Sequence, residues 1–246
     1  MLNTLIWISY IGTNYSGFQI QENAPTVQKE LERALQVIYK EPVRVAGAGR
    51  TDSGVHARGQ AASFIAPFRI DAESLPSAIN ALLPNDIVVT GAKEVSSDFH
   101  ARYSSRGKIY SYTLDRATFP KVMTRNYSLH YPGSLDLDIM QRAAKLFEGE
   151  HDFRAFQASG SDVSGTVRRL KRVEVTNLPE KENLIVYFEG DGFLYRMVRM
   201  IMGTLIRAGE GKLGQLEIEM ALAGKNPDAV GPTVPAHGLC LEKVLY

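Results

Sequence analysis

The chain alternates between two kinds of hydrophobic pattern. Residues 2 to 10 read as a strand, and from Thr26 the residues Val27, Leu31, Ala34, Leu35 and Ile38 recur at helical spacing, with Thr26 placed as an N-cap. Strand-like VRVAGAG follows at 43 to 49 and GQAASFIAPF at 59 to 68, which leaves residues 50 to 58 as the loop between them. Leu75, Ala78, Ile79 and Leu82 line one face of a further helix. Strands are expected at 86 to 95 and 108 to 114, the latter rich in β-branched, aromatic and small residues.

The second half repeats this composition. It predicts a helix over 138 to 147, strands over 166 to 177 and 184 to 189, a long helix over 193 to 207, a shorter one over 215 to 223, and a final strand over 239 to 244. The strand at 108 to 114 closes the first half, so the expected division is residues 1–115 and 116–246, with no Pro- or Ser-rich linker between them. Strands and helices interleaved at this spacing predict an α+β protein, with a mixed or antiparallel sheet covered by helices. The strand order does not follow from the pattern.

Composition narrows the setting. With 246 residues, 44% hydrophobic and 22% charged, the chain can bury a full core as one large domain or two fused smaller ones. The opening MLNTLIWISY lacks a basic leader, and no run approaches the roughly 20 apolar residues of a membrane span, so a soluble, unexported protein is expected. The single cysteine, Cys240, supports neither an internal disulfide nor a zinc site of usual spacing, which points to a reducing cytoplasm.

Net charge is only +1, so any site for a polyanion must be local. Such local charge exists: Arg102, Arg106, Lys108, Arg116, Lys121 and Arg125 crowd one stretch, and RRLKR at 168 to 172 forms another.

Three segments carry candidate chemistry. The first is Gly49-Arg50-Thr51-Asp52-Ser53-Gly54-Val55-His56-Ala57, a polar loop whose only carboxylate is Asp52. By itself it reads first as a capped turn, and spacing alone does not overturn that. It lacks the Lys and Ser/Thr of a phosphate loop, and Asp52 with His56 supplies only two metal ligands. The second is Ser105 to Tyr112, where basic residues lead into a strand with Tyr110 and Tyr112 on one face. That face is either an aromatic core surface or a platform for a splayed base. The third is Gly192 to Ile201, an apolar helical stripe that carries Arg199 beside Val198. A cation there needs a carboxylate partner, or else snorkels to water.

Together these segments resemble the tRNA pseudouridine synthase A family over nearly the whole chain. The resemblance is carried by Tyr10-x-Gly12-x-x-Tyr15-x-Gly17-Phe18-Gln19-x-Gln21, Thr26-Val27-Gln28, the GRTDSGVHA loop, Arg106-x-Lys108-x-Tyr110-x-Tyr112, Asp152-Phe153-x-x-Phe156, Phe193-Leu194-Tyr195-x-Met197-Val198-Arg199, and Pro235-Ala236-His237-Gly238-Leu239. It implies two similar α/β halves around a continuous, mainly antiparallel sheet with helices packed on it. It also implies a homodimer that binds the anticodon stem-loop of tRNA and converts uridine to pseudouridine at positions 38 to 40.

Residue by residue, the resemblance places the catalytic aspartate on Asp52, the uracil-stacking tyrosine on Tyr110 and the aspartate's arginine partner on Arg199. Arg50 matches the loop arginine that helps extrude the target nucleotide. His56, Arg102, Arg106, Lys108, Arg168 and Arg169 are further candidates for RNA contact. Pseudouridine formation breaks the bond from ribose carbon 1′ to uracil N1 and rejoins the base through carbon 5, so no cofactor, nucleotide or metal is expected. Attack at uracil carbon 6, attack at ribose carbon 1′ and a glycal route all remain open. Tyr110 is a candidate to stack on the ring and assist loss of the carbon 5 proton. The competing expectation is a non-catalytic RNA-binding protein, which needs the basic stretches and tyrosines but not Asp52.

Overall fold

The computed structural model describes residues 2–160 and 165–246. In chain order its elements are β1 (Leu2–Tyr10), α1 (Val27–Tyr39), β2 (Ala46–Gly47), β3 (His56–Ala66), α2 (Leu75–Asn80), β4 (Ile87–Val95), β5 (Gly107–Asp115), β6 (Leu129–His130), α3 (Leu137–Lys145), β7 (Gly149–Asp152), β8 (Val167–Leu178), β9 (Asn183–Gly190), α4 (Met197–Gly209), α5 (Gln215–Leu222) and β10 (Leu239–Leu245). They divide into two compact units, one of residues up to Arg106 with Cys240–Tyr246, the other Gly107–Leu239. Strand β5, grouped with the first half on composition, thus belongs to the second unit, while nearly all of β10 returns to the first.

In the first unit the strand order is β4-β1-β3-β10, with β2 also on β3. Strand β1 is antiparallel to both neighbours, Leu5 facing Ser63 on one side and Lys93 on the other. The far edge of β3 is shared: β10 pairs with its start in parallel, Cys240 opposite His56, and β2 pairs with its end, Ala46 opposite Ser63. Helix α1 begins where expected, Thr26 Oγ1 accepting from Lys29 N at 3.4 Å. It buries Val27, Leu31, Ala34 and Leu35, and Tyr39 packs edge-on against Phe64 of β3.

The stretch at 43 to 49 forms only the two-residue β2. Val43 and Val45 are buried, but Val45 N donates to Glu32 Oε1 and its carbonyl accepts from Gln28 Nε2. Side chains of α1 therefore satisfy the backbone that a neighbouring strand would otherwise take up.

In the second unit the order is β5-β9-β8-β7, antiparallel throughout, with β6 added in parallel to β5. A bulge at Lys171 lets Leu170 and Val173 both face inward, because Leu170 pairs with Gly190 and Arg172 with the adjacent Glu189. Phe147, Phe153 and Phe156 are fully buried and meet edge to face, so the Asp152-Phe153-x-x-Phe156 motif supplies core. Each such ring contributes roughly 1.5–3 kcal/mol relative to leaving it exposed.

Helix α4 starts at Met197, four residues later than the apolar stripe suggests. Residues 193 to 196 form a turn instead, closed by Met197 N donating to Leu194 O, with Arg196 in the left-handed region at φ 60°. No helix among the described residues is long and apolar enough to cross a membrane.

Candidate active site

In the first unit, two sequence motifs far apart in the chain turn out to be one structure. The Tyr10 to Phe18 segment wraps the loop that carries Asp52. The Tyr10 hydroxyl and Thr51 Oγ1 share a buried hydrogen bond of 2.7 Å. Phe18 N donates to Thr51 O, Gly54 N donates to Tyr15 O, and Ser53 Oγ donates to Tyr15 O. Gly12 N donates to Nδ1 of His56 at 3.1 Å, which assigns the ring proton to Nε2.

The glycines of this wrapping segment have specific reasons. A Cβ on Gly12 would lie 2.0 Å from the Val55 carbonyl oxygen, so only glycine allows the close approach. Gly17 adopts φ +98°, which favours glycine, and it sits against Thr51 O. Burial of Tyr10 pushes its phenol pKa upward, against the opposing hydrogen bond from Thr51, so the anchoring hydroxyl stays protonated. Beneath the loop, Gln60 Nε2 donates to Gly49 O.

The outcome is a loop with buried supports and one half-buried carboxylate. Thr51, Val55 and His56 are buried, Asp52 is half-buried and Arg50 is exposed. His56 thus stands under the loop with its Nδ1 used on Gly12.

In the second unit three further motifs converge. Tyr110 on β5 is packed edge-on by Phe193 at 5.1 Å between ring centroids and keeps 7% of its surface open. Tyr112, two residues on, is fully buried, and its hydroxyl donates to Pro235 O at 2.8 Å. Of the tyrosine face expected from the sequence, Tyr112 is therefore core and anchor. Arg199, half-buried in the first turn of α4, donates from Nε to Val234 O at 2.8 Å, and Val234 N returns a bond to Arg199 O. The segment at 234 to 235 thereby ties Arg199 and Tyr112 together. The roles of Phe193 and Val234 were not readable from spacing, because their partners lie on other elements.

The basic candidates divide by surroundings. Arg102, Arg106 and Arg169 are exposed, and Lys108 and Arg168 are half-exposed. Arg168 Nη1 donates to the carbonyls of Gly165 and Val167. In the same run Arg172 pairs with Glu174 at 2.9 Å, and Lys171 lies 3.9 Å from Glu189, so part of that charge is spent within the sheet. Among the described residues no group of three or more His, Cys, Asp or Glu side chains is placed to hold a metal ion.

The family model described as tRNA pseudouridine synthase matches residues 6–104 and 143–246. The tRNA pseudouridine synthase A of Acetivibrio thermocellus is 45% identical over 248 residues, covering 100% of both chains. That of Ruminiclostridium cellulolyticum is 46% identical over 240 residues, covering 97% of each. A solved structure described as a Cbf5-Nop10-Gar1 complex superposes loosely, with a TM-score of 0.39 and 14% identity, over 97% of this chain and 48% of that one. Asp52 and Arg199 fall inside the matched stretches of the family model, and Tyr110 between them.

Proposed function

Because the chain belongs to the tRNA pseudouridine synthase family, we propose that it isomerises uridine to pseudouridine at positions 38 to 40 of the tRNA anticodon stem-loop, with Asp52 as nucleophile or base. The observation that carries the assignment of Asp52 is its setting: a half-buried carboxylate on a loop whose neighbours Thr51, Val55 and His56 are buried and fastened by hydrogen bonds. A group that must meet a reacting carbon needs this kind of fixed placement, since small misplacement costs orders of magnitude in rate.

In this reading Asp52 attacks uracil carbon 6 or ribose carbon 1′, or removes a proton on the way to a glycal. The bond from carbon 1′ to N1 breaks, a bond from carbon 1′ to carbon 5 forms, and the proton lost from carbon 5 is balanced by one gained at N1. Tyr110 stacks on the uracil and assists that proton loss, while Arg199, oriented by Val234, pairs with Asp52. Arg50 helps extrude the nucleotide, and Arg102, Arg106, Lys108, Arg168 and Arg169 contribute RNA contacts; His56, placed with them from the sequence, is buried beneath the loop and serves to hold it instead. Flipping the target costs a few kcal/mol, which phosphate contacts and stacking offset. The reading also takes the chain as a homodimer acting in the cytoplasm, and light scattering on the purified protein tests the first of these.

The deciding experiment is pseudouridine mapping on unmodified tRNA incubated with the wild type and with Asp52→Asn. Product at positions 38 to 40 that disappears in the variant supports the activity and the site together. Product that persists in the variant overturns the assignment of Asp52. Absence of product from both, with tRNA still bound, favours a non-catalytic RNA-binding protein.

A further inference from the structure

We infer that the turn at residues 99 to 104 is a second nucleotide-binding platform, on which Tyr103 stacks an unpaired base of the RNA while Arg102 meets an adjoining phosphate. The inference rests on the RNA substrate proposed above and adds a contact away from the reacting uridine.

The turn is built as a pedestal. Ala101 at its centre is fully buried; its N–H donates to Ser63 Oγ at 3.0 Å and its carbonyl accepts from the Tyr246 hydroxyl at 2.9 Å. Asn3 Nδ2 donates to the carbonyls of Ser96 and Phe99, and the Phe99 ring packs against Tyr246 at 5.1 Å. Within the turn, His100 N donates to Ser104 Oγ, Ser104 N donates to His100 O, and Arg102 N donates to His100 Nδ1. The backbone is thus fixed from both sides.

What this fixed backbone presents is an aromatic ring in water. Tyr103 keeps 77% of its surface exposed. His100 backs it, the ring centroids 4.5 Å apart and tilted by 37°, and the Arg102 guanidinium carbon lies 5.7 Å from the ring centroid. An exposed ring adds little burial to the fold, so stability does not explain why it is held this way. Arg106, three residues further along the chain, is also exposed. Asp98, the carboxylate of this stretch, is engaged by the Ser96 side chain, which with its own backbone N–H lowers its pKa.

A flat π-face with a guanidinium beside it matches a nucleobase with its phosphate. Stacking of this kind accepts any base, and alanine substitution of the aromatic partner costs about 1–3 kcal/mol per base. Arginine beside the ring supplies both charge and a planar surface.

The test compares Tyr103→Ala, Tyr103→Leu and Tyr103→Phe on unmodified tRNA, reading Kd, KM and kcat separately. Tyr103→Ala and Tyr103→Leu should raise Kd and KM by about 5-fold to 100-fold with kcat at saturating tRNA little changed, and Tyr103→Phe should behave as the wild type. Their thermal midpoints should match the wild type, since the ring is exposed. In parallel, tRNA carrying 5-iodouridine at single-stranded positions outside 38 to 40 should photocrosslink to Tyr103.

Wild-type affinity in Tyr103→Ala, or full recovery in Tyr103→Leu, overturns the platform while leaving pseudouridine formation by the wild type as support for the family reading. A change in oligomeric state with tRNA affinity unchanged also overturns it and marks the turn as a protein contact. Loss of product in the wild type itself is the separate failure of the function proposed above.

Discussion

The hydroxyl of Tyr10, the last residue of β1, lies 2.7 Å from Oγ1 of Thr51, the residue before Asp52. One strand end thus sets the position of the loop. Tyr10→Phe removes the hydroxyl and leaves that of Thr51 buried with a lost partner. A buried polar group so abandoned costs about 1–3 kcal/mol. Urea unfolding should show a loss of this size, and kcat should fall with it; unchanged stability and unchanged kcat would mean the bond does not position the loop.

Gly12→Ala makes a harsher demand. Its Cβ would sit 2.0 Å from the carbonyl oxygen of Val55, backbone against backbone, so the loop or the wrapping segment has to move. Destabilisation of more than about 2 kcal/mol is expected, together with loss of pseudouridine formation. A variant that keeps full activity and its thermal midpoint would show that the contact yields easily.

Arg199→Lys keeps the charge but loses the planar fork that lets Nε reach Val234 O. We expect kcat to fall by at least about tenfold, near 1.4 kcal/mol of barrier, with tRNA affinity held. Steady-state kinetics separates the two. A rise in KM with kcat intact would assign Arg199 to substrate binding instead.

The thiol of Cys240 offers a pH prediction. Burial pushes its pKa up to about 12, with the Glu242 carboxylate adding to the rise and Arg58 opposing it. The folded protein therefore disfavours thiolate, whereas the unfolded chain ionises near about 8.5. The stability this contributes is fully present below the unfolded value and is lost as pH climbs from there towards the folded one. Native protein should resist iodoacetamide at pH 8, and Cys240→Ala should flatten the decline in stability between about pH 8.5 and 10. Rapid alkylation of the native protein would contradict the shift.

How much of this was legible in the chain depends on where each residue's partner lies. Helix α1 and its Thr26 cap were readable because a cap and a helical stripe are local. The Asp52 loop stood out for the same reason. The stretch at 43 to 49 misled because buried Val43 and Val45 resemble a strand, yet Gln28 and Glu32 of α1 take the Val45 backbone groups. The apolar stripe extended α4 too far forward, since Phe193 and Leu194 are apolar for reasons other than helix packing, Phe193 serving to hold the Tyr110 ring. The wrapping of the Asp52 loop by the Tyr10 to Phe18 segment is a tertiary match of backbone groups, and no periodicity encodes it. The short strands β6 and β7 gave too little pattern to notice.

The parallel pairing of Cys240 with His56 and of Leu241 with Ala57 sets an order on biosynthesis. Strand β3 emerges from the ribosome early, but the partner for its first residues follows only after the whole second unit has been translated. Until then the edge beside the Asp52 loop has open backbone groups at His56 and Ala57. A nascent chain therefore makes the wrapping segment and the loop long before the strand that closes this edge, and β10 adds the last backbone pairing beside a loop that the Tyr10 to Phe18 segment already fastens.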